Sequence, residues 1–229
     1  MLGLKKRWIV VLVVIVVLTT LFSIKPIRKR LLNHFPMTFL IDVYNNTRPT
    51  LNMGNNKTCF EMLQKSEAHF LKLTNKSTRL GCVVDNSVKV SQLSKVNFNT
   101  PFMVTCRMAL ALEQFEREIV QVQALKYFNK KVVNIAHLGT YNCRPMRGYK
   151  NLLSEHAFAN AIDIASFTLS GGEKIVVKKD WSGNEAKSKF LHSVAKQSCQ
   201  LFSAVLTPNF DRNHADHFHL DQGLWGKCL

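Results

Sequence analysis

Residues 214–221 read HADHFHLD, so three of the chain's eight histidines fall within six residues, interleaved with Asp216 and Asp221. A packed core satisfies that many ring nitrogens only with difficulty, and a solvated loop has no need of them. Imidazole is the commonest protein metal ligand and carries protons near neutral pH, so the cluster points to metal or proton chemistry. If HFHL is a strand, residues two apart share a face, and His217 and His219 project into one cleft with Asp221 following on that face. A catalytic zinc site generally takes three protein ligands plus water, so another segment must contribute.

The best source is SEHAFANAID, residues 154–163. On a straight helix His156 and Asp163 would share a face but lie about 10.5 Å apart along the axis. Two groups binding one ion cannot be so far apart. If both are ligands, the segment must bend, with His156 in a loop and Asp163 on a strand, and the β-rich AIDIASF agrees. A His, Asp, His set around a closed-shell divalent ion leaves one coordination position for water, which is what a hydrolase needs.

The elements that must position these residues can be read in outline. Residues 25–56 look like a linker, and no internal repeat is present. SVKVSQL alternates as a strand should. The stretch from Thr100 to Phe128 predicts one long helix, capped by Thr100 with Pro101 in its first turn, and with Met108, Leu112, Phe115, Ile119 and Val122 as its buried stripe. KVVNIAHLG predicts a strand, and NAIDIASFTL, SGGEK and IVV predict a hairpin. EAKSKFLHSVAKQSCQLF predicts a second helix with Phe190, Leu191, Val194, Ala195, Leu201 and Phe202 on its apolar side. SAVLTP and DHFHLD predict closing strands. This mixed order points to an α+β domain, a small antiparallel sheet with packed helices.

The chain has 229 residues and a formal net charge of +16. Seven of those charges lie in the first thirty residues, leaving +9 on the rest. A basic domain suits an anionic partner, whether a phospholipid surface, a wall polymer or nucleic acid. No zinc-finger, RRM or helix-turn-helix signature is present, so nucleic acid is not expected. The apolar run 8–24, behind a short tail (1–7), reads as an uncleaved transmembrane signal anchor. A cleaved signal peptide is the rival, but no small-x-small site follows the run. Six cysteines, Cys59, Cys82, Cys106, Cys143, Cys199 and Cys228, include no CxxC pair. An even number behind an export signal reads as three disulfides in an oxidising compartment, with buried free thiols as the alternative and the connectivity open. His137 and His192 read as structural, and Trp181 and Trp225 as packing rather than sugar-stacking residues.

SEHAFANAID is similar to the S-x-H-x-x-G-x-A-x-D pattern of zinc peptidases that include D-alanyl-D-alanine dipeptidases and murein endopeptidases, and HADHFH resembles their closing H-x-x-H-x-H. More closely, residues 59–228 resemble the extensin-like carboxy-terminal domain of bacterial proteins, through VTCRMALALEQF, GTYNCR, LSEHAFANAIDI, CQLFSAVLTP and HADHFHLD in that order. The resemblance implies a zinc peptidase-like domain over 57–229, with zinc held by His156, Asp163 and His219. It places His217 beside the catalytic water or developing oxyanion, and His214 as a proton shuttle. Arg144 would face a substrate carbonyl or carboxylate, and Ser154 would bond substrate or brace His156. Two departures stand out. Ala159 replaces the pattern's glycine, and no glutamate follows Glu185, so the base would be a histidine or Asp216. The expected function is a zinc-dependent peptidase on peptidoglycan stem peptides, held in the inner membrane by one span with its domain in the periplasm. The alternative is a non-catalytic wall-binding or scaffold module that kept the fold.

Overall fold

The computed structural model describes residues 56–78, 81–183, 185–224 and 226–228. The expected membrane anchor (8–24), the tail before it, nearly all of the linker and Trp225 lie outside these residues. Among the described residues no helix is long and apolar enough to cross a membrane. Two units are distinguished. One contributes the loop Pro145–Leu153, closed on itself by a Pro145–Leu153 bridge and a Met146 N–H to Leu152 O hydrogen bond. The other is the domain formed by the remaining described residues.

That domain is α+β. Its strands are β1 (His69–Lys72), β4 (Ser87–Leu93), β5 (Val96–Thr105), β6 (Val132–Gly139), β7 (Ala161–Leu169), β8 (Lys174–Val176), β9 (Ala204–Leu206), β10 (Phe218–Asp221) and β11 (Lys227–Cys228). They form one nine-stranded sheet in the order β1-β4-β5-β6-β7-β10-β9-β11, with β8 paired to β7. β2 (Lys76–Ser77) and β3 (Val83–Val84) make a separate two-stranded ladder. The sheet is larger than the small one expected. It is mostly antiparallel, with parallel pairs at β5–β6 and β9–β11. The helices are α1 (Asn56–Lys65), α2 (Cys106–Gln114), α3 (Gln121–Phe128), α4 (Val177–Asp180) and α5 (Ala186–Ser198).

The core follows from alternation. On β4, Val88 and Val90 are buried while Lys89 and Ser91 are exposed. Phe115, Phe167, Phe190 and Phe218 are fully buried, and Phe190 of α5 meets Phe167 of β7 edge-on at 5.3 Å. Burying each such ring contributes roughly 1.5–3 kcal/mol. As expected, Phe190, Leu191, Val194 and Ala195 turn inward from α5.

The expected long helix is the end of a strand followed by a helical run. Residues 100–105 belong to β5, and α2 starts at Cys106, capped by the Thr105 hydroxyl, which accepts from Met108 N. Pro101 sits where the β4–β5 register shifts, in a stretch of β5 outside the paired runs, so its missing N–H breaks no ladder bond. Between α2 and α3, residues Phe115–Val120 form a π-helical turn. The wider turn rotates everything after it. Met108, Leu112, Phe115 and Ile119 are buried as expected, but Val122 is half exposed and Val120 and Ala124 face inward instead.

All six cysteines are paired, as Cys59–Cys106, Cys82–Cys143 and Cys199–Cys228. The first joins α1 to the start of α2 across 47 residues of chain. Closing a loop of that length removes roughly 4 kcal/mol of unfolded-state entropy. Replacing Cys59 and Cys106 together by serine is expected to lower stability by about that amount, read as a lower urea midpoint. An unchanged midpoint would show that the bond contributes nothing.

Candidate metal centre

Strand β7 places Ile162 and Ile164 in the core, so Asp163 between them points to the other face. On β10, Phe218 and Leu220 are fully buried, which turns His219 and Asp221 to that same other face. The two strands pair antiparallel with His219 directly opposite Asp163. The register that buries four apolar side chains thus also sets a carboxylate beside an imidazole, with His219 Nδ1 3.0 Å from Asp163 Oδ1.

His156 arrives from a different kind of element. Residues Glu155–Phe158 form a single 3-10 turn whose cap is Ser154, the hydroxyl accepting from His156 N. The turn ends at Ala159, which holds a left-handed backbone (φ 53°) and is fully buried. That conformation costs an L-residue about 1–2 kcal/mol and is free to glycine. As the ligand hypothesis required, the segment bends between His156 and Asp163.

The loop after β6 braces this turn. The Thr140 carbonyl accepts from His156 Nδ1 (3.0 Å), Asn142 N donates to His156 O, and Arg144 O accepts from Ser154 N. Cys143 in the same loop is bonded to Cys82. With Nδ1 so engaged, His156 directs Nε2 at the pair on the sheet, 3.2 Å from His219 Nδ1 and 3.3 Å from Asp163 Oδ1. His156, Asp163 and His219 offer ligand atoms that all lie within 4.8 Å of one another.

The far nitrogen of His219 donates to Asp221 Oδ2 at 2.9 Å. With both outer nitrogens acting as donors, His156 Nε2, His219 Nδ1 and the Asp163 carboxylate face each other as three acceptors. Three converging lone pairs need a cation between them, a proton or a metal ion. In the protein without metal a proton fills this role. Burial alone would lower the pKa of His219, but the bonds to Asp163 and Asp221 raise it to about 9. Burial would raise the Asp163 carboxyl, yet His156 and His219 hold it far below the usual carboxylate range.

His217 lies in a bend just before β10 rather than on the strand, which begins at Phe218. It still reaches the centre, with Nε2 3.5 Å from Asp163 Oδ1, and its Nδ1 donates to Asp216 (2.8 Å). His214, on the 3-10 turn Arg212–His214, donates from Nδ1 to Asp211 (2.7 Å), and its ring lies 5.3 Å from that of His217. Burial pushes the His214 pKa down despite Asp211.

The structure thus brings His156, Asp163, His214, His217 and His219 together and ties Ser154 and the Arg144 backbone to the turn that carries His156. Thr140, Asp211, Glu155 and Gly223 were not read from the sequence as parts of the site. Asp211 was visible as an acid three residues before His214, whereas the Thr140 contact is made by a carbonyl, which no side-chain pattern reveals. His137 donates to the Thr100 carbonyl, and His192 stacks on the buried Trp181 at 3.8 Å.

The fold and site define an α+β domain with three disulfides and a converging His-Asp-His centre. The family model described as extensin-like protein C-terminus matches residues 57–229, and the chain belongs to that family. No curated protein and no solved structure matches it.

The His219 environment makes the metal-free domain pH-sensitive. Its folded-state pKa is raised, so this stabilisation is fully present below its ordinary value near 6.5 and is lost as pH rises through about 9. Asp163 is depressed, so its contribution is present above about pH 4 and lost only in stronger acid. Thermal unfolding in chelator is expected to show a loss on the order of 3 kcal/mol between pH 6.5 and 9.5, shrinking in His219→Gln. Equal slopes in the two proteins would show that the His219 proton does not stabilise the fold.

Proposed function

We propose that this chain is a zinc-dependent hydrolase of amide bonds in peptidoglycan peptides, D,D- or L,D-peptidase in type. In this reading one N-terminal span anchors it in the inner membrane, with its domain in the periplasm. The observation that carries the reading is the convergence of His156 Nε2, Asp163 Oδ1 and His219 Nδ1, each outer histidine nitrogen already engaged. Two histidines and a carboxylate are a common zinc donor set, and metal-binding histidines almost always give their other N–H to an acceptor behind them. The zinc peptidase-like architecture that the resemblance implies is part of this proposal.

Zinc, when bound, supplies Lewis acidity toward a carbonyl oxygen and lowers the pKa of water toward 7. The chain's own residues do the rest. Asp216 takes the Nδ1–H of His217, which leaves Nε2 as a proton acceptor beside Asp163 and makes His217 the general base in place of a glutamate. His217 passes that proton to His214, fixed by Asp211 beside it, and His214 delivers it to the departing amine. Arg144 opposes negative charge on the substrate. Water adds to the carbonyl carbon, the C–N bond breaks, and the products are a carboxylate and an amine. The basic surface of the domain suits an anionic wall polymer.

The first test is metal content of the full chain made in an oxidising compartment. One zinc per chain, lost in His219→Ala, is the expected result. No zinc even after reconstitution would overturn the reading. In His217→Ala zinc is expected to stay while cleavage of purified peptidoglycan falls at least 100-fold. The second reading, a wall-binding module, rests on the lack of glutamate after Glu185. It predicts binding of peptidoglycan with no new amino groups released by the wild type.

A further inference from the structure

Asp221 is a buried carboxylate that takes no part in the proton transfers of that scheme. Its two oxygens do different things. Oδ2 accepts the Nε2–H of His219 at 2.9 Å, and Oδ1 accepts the backbone N–H of Gly223 at 2.8 Å. Its backbone is fixed as well, opposite Ala161 on β7 and Ala204 on β9.

The turn after Asp221 is clamped from behind. A Cβ at Gly223 would lie 2.4 Å from Glu155 Oε1, so a larger residue there would have to displace the Glu155 side chain. Glu155 is itself buried, and its Oε2 accepts from Asn160 Nδ2. Asn160 O accepts from Gln222 N. Glu155 adjoins His156, so the turn carrying one ligand candidate locks the turn that holds the carboxylate behind the other.

His219 lies between two carboxylates, Asp163 at Nδ1 and Asp221 at Nε2. A neutral imidazole has one N–H, and whichever carboxylate takes it decides which nitrogen is left to bind an ion. The Asp221 side chain is the more buried of the two, at 10% exposure against 20%.

We propose that Asp221 is a positioning residue of the centre, holding the neutral His219 as its Nε2–H tautomer so that Nδ1 presents its lone pair beside His156 Nε2 and Asp163. This rests on the reading of the centre as a metal site. It has a sharp consequence for Asp221→Asn. The Gly223 N–H needs an acceptor, so the amide oxygen stays there and the NH2 turns toward His219. Two donors then face each other at Nε2, and the ring responds by moving its proton to Nδ1, where Asp163 accepts it. The variant keeps its shape and blocks its own ligand atom.

The test uses the full chain, stripped and titrated with zinc against a chromophoric chelator. Asp221→Asn is expected to bind zinc 10- to 100-fold more weakly while retaining the wild-type circular dichroism. Long-range proton–nitrogen NMR on the zinc-loaded wild type is expected to show His219 protonated at Nε2, and this measurement stands if the variant does not fold. Equal zinc affinity of a folded variant, or a His219 protonated at Nδ1 in the loaded wild type, overturns the inference and leaves the metal reading intact. A wild type that takes up no zinc overturns both.

Discussion

The centre depends on one register. β7 and β10 pair so that Asp163 stands opposite His219, with Ile162, Ile164, Phe218 and Leu220 locked into the core on the other face. A slip of one residue would exchange the faces, burying a carboxylate and an imidazole among phenylalanines and exposing four apolar side chains. Hydrophobic burial therefore enforces the geometry of polar groups that could not assemble on their own account. The pairing of two carboxylates with several histidines away from water is unfavourable in isolation, and the apolar face offsets it.

What the sheet cannot supply is the third group, because His156 lies beyond the reach of any strand pairing. It comes on a 3-10 turn held at both ends, by the Ser154 cap and by the left-handed Ala159. The loop 140–144 holds it from one side through Thr140, with Cys143 pinned to Cys82. The Gly223 turn holds it from the other through Glu155. A single turn has little stability of its own, so these lateral braces do for His156 what the ladder does for Asp163 and His219. The Cys82–Cys143 bond thus ties the geometry of the centre to an oxidising environment.

The sequence made the grouping of the candidate site residues more legible than the architecture. If His156 and Asp163 were to hold one ion, their spacing required a bend between them, and the structure bends there. The alternation of SVKVSQL and the hairpin at SGGEK were also readable, because both are local patterns. The Thr100–Pro101 pair was misleading for a physical reason. It is a sound helix start, but Thr105 is another, and strand pairing with β4 decided between them. The π turn at Phe115–Val120 left no mark in a 3.6-residue pattern until Val122 came out on the wrong side. Disulfide connectivity needs Cα positions, and the expected sheet was too small because β1 and β11 are short edge strands and the second half of β5 was read as helix.

An aspartate stands behind every histidine of HADHFHLD: Asp211 behind His214, Asp216 behind His217 and Asp221 behind His219. The three offsets in sequence differ, at −3, −1 and +2, because the first pair lies on a 3-10 turn, the second in a bend and the third on a strand. Different local geometries thus reach the same result, an imidazole with one nitrogen committed to a carboxylate. A glutamate base needs no such partner, since both of its oxygens accept already. Histidine does, because an undirected ring presents either nitrogen. The aspartate behind each ring therefore fixes which of its nitrogens faces the centre.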